Sequence, residues 1–551
     1  MEDWYWLNEE SKTFLNRGYL LDDTEPKERV REIADHAEDV LGIDGFADRF
    51  YKYMSRGYYS LASPVWANFG LERGLPISCF GSYIEDNMES ILYTHAEVGM
   101  QTKCGGGTSG YFGDIRPRGA PITNNGKTNG THPFAQLFDK IIDVVSQGET
   151  RRGHFAGYID VEHDDIDEWL NIQNEGDAIQ TMMYGVVVGD EWMEEMIAGD
   201  KEKRATWAAI IENRMQFGIP YIIFRGNLNE NKPEVYKDKG YDIHASNLCS
   251  EIALPSGPDE SFVCCLSSMN ALHYDEWKGT RAVETLTQFL DAVMQEFIDK
   301  AEGTEFMERS VQFAKQHRAV GIGILGWHSY LQSNMIPFET AEASMIGSEI
   351  AQTIKERSYA ESERLAERFG PAPVMEGRDD ARRNITTMAV APTKSSSFIL
   401  GQVSQSVEPI KSNYFVVDRA KIKTTYRNPH LKRLLQKKGE DNEDTWEEIA
   451  LKDGSVQHLD CLTDKEKRVF KTAAEISQMA IVDQAAGRQK HIDQSQSINL
   501  FIDPKSVPAK DINKLYVEAW RKGVKSLYYQ HGVNAAQDLS RDILDCEACE
   551  A

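Results

Sequence analysis

The chain has 551 residues, 41 % of them apolar and 10 % aromatic, and a formal charge of −26. This is enough apolar material for a large folded core, while the acidic balance opposes binding along a polynucleotide backbone. No apolar run approaches the ~20 residues of a membrane span, and the acidic start MEDWYWLNEESK lacks the basic and apolar regions of a signal peptide, so a cytoplasmic location is expected.

Eight cysteines are present: Cys79, Cys104, Cys249, Cys264, Cys265, Cys461, Cys546 and Cys549. In an unexported chain of this size they do not read as a disulfide framework. Either they are inert or some of them cycle.

Residues 1–60 read as helical, with helical spacing of apolar positions in ERVREIADHAEDVLG and DGFADRFYKYMSRG. Turns follow around Gly70 and Gly74, and Ile77–Gly81 looks like the start or edge of a strand. The stretch from Cys104 to Phe112 carries three consecutive glycines, which allow close approach of a ligand or of a neighbouring strand. It is neither a P-loop nor a dinucleotide fingerprint, and a packing turn fits it as well as a ligand loop. Residues 116–130 form a polar loop, and a helix is expected over roughly 133–147. HDDIDEWL reads as a short acidic helix, and MMYGVVVGDEWMEEMI as a strand running into a helix.

Asn247-Leu248-Cys249-Ser250-Glu251 is the stretch richest in chemistry. In an extended backbone residues 247, 249 and 251 share one face. An amide, a thiol and a carboxylate then meet: one orients a hydroxyl, one exchanges a hydrogen atom, one moves a proton.

Phe262–Leu266 and the glycine-rich Val320–Gly326 follow as apolar segments, and SEIAQTIKERSYAESERLAERFG is an amphipathic helix closed by Gly370 and Pro371. Short apolar runs alternating with helices favour an α/β fold with parallel pairing, with active groups at the C-terminal ends of strands. In APTKSSSFIL, Thr393, Ser395, Ser396 and Ser397 suit an anion if a helix begins there. Residues 430–475 read as a charged, solvated helical exterior, and Ser495 and Ser497 share one face of an extended segment. Tyr528 and Tyr529 are adjacent; such a pair alone reads as packing. The acidic end carries Cys546-Glu547-Ala548-Cys549, which reads better as a redox dithiol than as a zinc site.

Several of these stretches agree with one family. SNLCSEIALP, Cys79, FVCCLS, the RPRGAPI region, APTKSSS, IDQSQSINLF, the tyrosine pair and the terminal CxxC together resemble the large catalytic subunit of class I ribonucleoside-diphosphate reductase, in the family's order from about residue 60 to the end. The resemblance implies a ten-stranded (β/α) barrel over about 61–530 with a central finger loop bearing a radical cysteine. A helical region over 1–60 would precede it, and a redox tail over 531–551 would follow. It implies reduction of ribonucleoside diphosphates to 2′-deoxyribonucleoside diphosphates.

Carried over, Cys249 resembles the thiyl radical that takes the ribose 3′ hydrogen, Glu251 the base for the 3′-hydroxyl, and Asn247 the amide that holds a ribose hydroxyl. Cys79 and Cys264 resemble the pair that supplies two electrons. Cys265 lies beside Cys264, which is chosen because it opens the Cys-x-Leu-Ser pattern. Ser78 resembles a substrate-positioning residue, and Pro392, Thr393, Ser395, Ser396 and Ser397 the diphosphate loop. Tyr528 and Tyr529 resemble the relay through which a separate metal-containing small subunit supplies the radical. Cys546 and Cys549 would reopen the internal disulfide and be reduced in turn by thioredoxin or glutaredoxin.

The 116–130 and 171–181 regions, within a specificity region of about 110–185, resemble loops that sense a bound dNTP at a homodimer interface, with Arg116 and Lys127 as contacts. Gln180 stands where some relatives have Arg, so base rules do not transfer. The short N-terminal region implies a compact form without the ATP-binding cone, similar to phage-type versions. No metal is expected on this chain, and neither a polynucleotide nor a membrane as a partner. An adenosylcobalamin-dependent reductase, and a non-enzymatic nucleotide-binding protein of the same fold, are the competing expectations.

Overall fold

The computed structural model describes residues 3–21, 24–148, 152–419, 422–503 and 507–532. The chain begins with short helices, among them Glu9–Leu15, Pro26–Leu41, Phe46–Ser55 and Ser63–Asn68. Pro26 opens the second of these, where its missing N–H costs nothing. Gly42 ends it in the left-handed region at φ 58°. Its stripe of Val30, Ile33, Ala34, Ala37 and Leu41 is buried, as 3.6-residue spacing requires.

The centre is a ring of strands. One eight-stranded sheet holds β1 (Cys79–Tyr83), β2 (Thr108–Tyr111), β3 (Phe155–Asp160), β4 (Met183–Val188), β5 (Tyr221–Phe224), β6 (Phe262–Asn270) and β7 (Val320–Leu325). Its eighth strand is Ser526–Leu527, at the edge beside β5. β1 to β5 are parallel, β6 is antiparallel to β1, and β7 is parallel to β6. Buried on both faces, MYGVVV and VGIGIL are near-continuously apolar.

Two extended segments complete a ring of ten. Residues 386–390 pair with β7, since Ile322 N donates to Thr387 O at 2.7 Å and Ala389 N to Ile322 O at 3.3 Å. Val390 bridges Gln496, and Tyr528 N donates to Ile498 O at 2.9 Å, which returns the ring to the edge strand beside β5.

Helices wrap the outside. Ala282–Ala301 is buried nearly all round, against β6, β7 and the long Ala341–Phe369 helix. The helix expected over 133–147 spans His132–Val144. Residues 430–475 are not simply a solvated exterior. Leu431, Leu435, Trp446, Ile449, Val456, Val469 and Phe470 form a second, separate core under the charged surface. Among the described residues no helix is long and apolar enough to cross a membrane.

The triple glycine is a packing element. A Cβ on Gly106 would stand 2.4 Å from the Phe80 ring, and one on Gly107 would stand 3.2 Å from Leu248 and 3.4 Å from Ser78 O. The chain there is pressed between β1 and the segment that enters the ring.

Candidate active site

Residues 245–255 are buried without a break and run into the ring as a finger. Backbone groups hold it: Ser495 N donates to Glu251 O at 2.8 Å, Ser526 Oγ to Ser250 O at 2.9 Å, and the Tyr158 hydroxyl to Asn247 O. Ser497 Oγ donates to Cys249 O.

The tip is not extended. Ser250 N bonds Asn247 O at 3.3 Å, and Ser250 sits at φ 66°. The expectation that residues 247, 249 and 251 meet by strand alternation is therefore corrected. A tight turn brings Asn247 and Glu251 together instead, Asn247 Nδ2 to Glu251 Oε1 being 3.0 Å. Asn247 is oriented in turn by its Oδ1, which accepts from Ile252 N at 3.1 Å and Ser246 Oγ at 3.3 Å.

Cys79 meets this turn. Its Sγ is 3.3 Å from Asn247 Nδ2 and 3.9 Å from Glu251 Oε1. It opens β1 rather than ending it, so the expectation of active groups at C-terminal strand ends does not hold here. The antiparallel pairing of β1 with β6 sets Cys79 directly opposite Cys264. Opposed residues in such a pair have Cα atoms roughly 4.5–5.5 Å apart, inside the range a disulfide accepts. Cys264 Sγ accepts from Gln494 Nε2 at 3.6 Å. Cys265, one residue on, turns to the other face and meets Leu290 O of the Ala282–Ala301 helix at 3.3 Å. Among the described residues none of the six cysteines is joined in a disulfide.

Electrostatics follow burial. Glu251 is wholly buried, which pushes its carboxyl up to about 7, against the lowering pull of hydrogen bonds that include Asn247, Ser497 and Cys79. Ser497 Oγ lies 3.1 Å from Glu251 Oε2. A carboxylate poised near neutrality can take a proton and return it. Burial also holds the Cys264 thiol well above its ordinary value, favouring the neutral thiol. Ser78 is buried, with its hydroxyl lacking a partner in the protein. A donor left open beside Cys79 suits a ligand hydroxyl or phosphate.

The tyrosines stand on the ring's closing strand. Tyr528 and Tyr529 are buried with ring centroids 4.3 Å apart, tilted by 55°. Tyr221, which opens β5, adds a third ring, 4.7 Å from Tyr528 and 5.2 Å from Tyr529. Its role as a neighbour carries no signal in the sequence.

The 392–397 loop forms a short helix, Lys394–Ile399, entered through Thr393 at φ 56°. Ser397 Oγ lies 3.0 Å from Thr393 Oγ1 and 3.3 Å from Ser404 O, and Ser396 Oγ lies 3.4 Å from Leu61 O. Pro392 and Ser395 are buried in the same loop. Arg116 is engaged by Asp86 at 2.7 Å and by Pro121 O at 2.8 Å, and Lys127 is exposed on the same loop. Cys546 and Cys549 lie outside the described residues.

Gln494, Ser497, Ser526 and Tyr158 belong to the site although their roles are not evident from sequence. Gln494 and Ser497 lie within the IDQSQSINLF stretch, where their types alone assign no role, Ser526 sits two residues before the tyrosine pair, and Tyr158 is one aromatic residue in an apolar strand.

Comparison with known proteins shows the family. The family model of the ribonucleotide reductase barrel domain matches residues 77–204, 200–382 and 377–530, and that of the ribonucleotide reductase all-alpha domain matches residues 5–74. A putative ribonucleoside-diphosphate reductase large subunit of Frog virus 3 is 35 % identical, with 92 % of this chain and 93 % of that protein covered. The ribonucleoside-diphosphate reductase large subunit of Invertebrate iridescent virus 3 is 33 % identical, covering 92 % and 91 %. The solved class Id ribonucleotide reductase alpha subunit of Actinobacillus ureae superposes with a TM-score of 0.92 at 55 % identity, covering 99 % of this chain and 100 % of that one. The family models, the relatives and the shared fold show that this chain belongs to the large subunits of class I ribonucleoside-diphosphate reductase.

Proposed function

We propose that the residues gathered at the finger carry out the family's reaction, reduction of a ribonucleoside diphosphate to the 2′-deoxy compound. Breaking a ribose C–H bond requires a radical rather than acid–base chemistry alone. Cys249, as a thiyl, takes the 3′ hydrogen and returns it at the end. Glu251 removes the 3′-hydroxyl proton, which assists loss of the neighbouring 2′-hydroxyl. Asn247 holds a ribose hydroxyl, and Ser78 offers it a further donor. Cys79 and Cys264 supply two electrons: two thiols become one disulfide, C2′–OH becomes C2′–H, and the oxygen leaves as water. Burial of the finger shields the radical.

The observation that carries this reading is the Cys79–Cys264 register beside the Asn247–Glu251 turn. An inert pair of cysteines does not need a carboxylate near neutrality against it. Pro392, Thr393, Ser395, Ser396 and Ser397 are assigned to the diphosphate, and Arg116 and Lys127 to a dNTP effector across a homodimer. The dithiol of Cys546 and Cys549 reopens the internal disulfide by exchange and is itself reduced by thioredoxin or glutaredoxin.

A class I large subunit depends on a separate small subunit, to which the metal centre is assigned. Tyr528 and Tyr529 receive the radical from it. A groove of about 980 Å³ between the Lys201–Phe217 and Ala509–Arg521 helices supports docking nearby; Arg204, Lys510, Lys514 and Arg521 line it together with Glu212 and Glu518, Arg521 being paired with Glu518 at 3.2 Å, so cations outnumber carboxylates there.

The test is deoxynucleotide production by the pure chain with ribonucleoside diphosphate, dithiol and dNTP effector. Metal-loaded small subunit is added in one reaction and adenosylcobalamin in its parallel. Product only with the small subunit is expected. Product with adenosylcobalamin alone would remove the tyrosine assignment and leave the cysteine chemistry in place.

A further inference from the structure

Arg214 lies near the end of the Lys201–Phe217 helix with no exposed surface. Its Nη1 donates to Tyr528 O at 2.8 Å and also to Pro220 O, the carbonyl just before Tyr221. Its Nε donates to the Tyr516 hydroxyl at 2.8 Å, and the guanidinium lies 5.2 Å from the centre of that ring. The Tyr516 hydroxyl bonds Gln530 Oε1 in turn. One side chain thus ties the strand bearing Tyr528 to the start of β5 and to the Ala509–Arg521 helix.

The charge itself is unusual. Among the described residues no carboxylate pairs with Arg214, and its Nη2 is buried without a partner. A buried guanidinium held only by neutral acceptors carries a desolvation cost that no ion pair offsets. Carbonyls can also be tied by neutral donors. What sets this arginine apart is the place it ties down: three tyrosine rings within 5.2 Å of one another, two of them the assigned relay.

We propose that Arg214 is a positioning residue for radical transfer. It fixes the Tyr528–Tyr529 pair against Tyr221 and against the two helices that line the docking groove. It touches neither substrate nor a reacting ring atom. A fixed positive charge beside the pair also disfavours a cationic tyrosyl, so that electron and proton leave the phenol together. The inference rests on the relay assigned to Tyr528 and Tyr529.

The test uses the complete complex: full chain, radical-loaded small subunit, ribonucleoside diphosphate and dNTP effector. Position 528 carries 3-aminotyrosine, which is easier to oxidise than tyrosine and traps the radical for electron paramagnetic resonance. With Arg214 intact, the trapped radical is expected. In R214M its yield should fall about tenfold or more, and in the otherwise unmodified chain kcat should fall by the same factor with KM for the diphosphate unchanged. R214M leaves Tyr528 O and Pro220 O without this donor and should melt below wild type, so rates are compared on folded protein. R214K, which keeps the charge but not the fork, should fall between the two.

A kcat within about twofold of wild type in folded R214M would overturn the proposal. So would a lower kcat with undiminished radical yield, since that marks a structural role. R214Q carries the same test if R214M does not fold. If 3-aminotyrosine at 528 traps nothing even with Arg214 intact, the relay assignment itself fails, and the role given to Arg214 falls with it.

Discussion

At the residue scale the proposed chemistry turns on Glu251, whose environment pushes its carboxyl in a useful direction. Glu251 is wholly buried and titrates near 7, above an ordinary carboxyl at 4.5. A general base must be ionised, so turnover should rise with pH through about 7 and E251Q should abolish it across that range; a rate profile for both proteins checks this. The same shift has a cost. The folded-state value is raised, so the burial penalty is absent below about pH 4.5, grows as pH rises, and is complete above about 7. E251Q should therefore be the more stable protein at pH 8, by something on the order of 3 kcal/mol. That advantage should shrink toward pH 5, as paired thermal melts would read. The C249S variant should lose all turnover and still bind dNTP; turnover above trace level would remove Cys249 as radical carrier.

The identities of these groups are legible in sequence, and their geometry is not. Asn247, Cys249 and Glu251 stand out as chemistry-bearing side chains two apart. The alternation argument places them on one face, but Ser250 at φ 66° replaces that arrangement with a turn. Serine has no strong preference that announces such a conformation, and the turn is imposed by what surrounds it: Ser495 N, Ser497 Oγ, Ser526 Oγ and Tyr158 all hold the finger from other strands.

At the scale of elements, strand register does what pattern matching alone does not. Adjacent Cys264 and Cys265 are ambiguous in sequence. The pairing of β1 with β6 sets Cys264 opposite Cys79, and alternation turns Cys265 to a helix carbonyl. C264S should therefore stop multiple turnover, while C265S should keep it within about threefold. Equal loss in both, measured on folded protein, would contradict the register argument. Periodic elements such as the Ala341–Phe369 helix and β4 are readable in advance, because one buried face repeats along them. The segments at 386–390 and 494–498 are not, since they close the ring through a few long-range hydrogen bonds and carry no repeat. The second core near Trp446 is hidden for a related reason: its apolar residues are scattered among lysines and glutamates that coat the outside.

At the scale of the molecule, the ring brings together groups that are hundreds of residues apart: Cys79, the finger at 247–251, Cys264, Gln494, Ser497 and the tyrosines at 528–529. No local pattern predicts that assembly. The order of motifs does, because a shared fold preserves order even where spacing drifts. Cys79 and Cys264 are both buried, so the disulfide proposed between them would lie out of direct reach of an external protein reductant. The double variant C546S/C549S should therefore fail in steady turnover with thioredoxin or glutaredoxin and recover in part with a small dithiol. Absence of that rescue in folded protein would argue against a shuttling dithiol.

The most direct measurement is a single turnover without external reductant. The C546S/C549S chain is mixed with radical-loaded small subunit, ribonucleoside diphosphate and effector, then quenched, and its thiols are mapped by mass spectrometry. About one deoxynucleotide per active site is expected, with a Cys79–Cys264 disulfide appearing in equal amount. Product formed with both thiols still reduced, or with oxidation at Cys265 instead, would contradict the account.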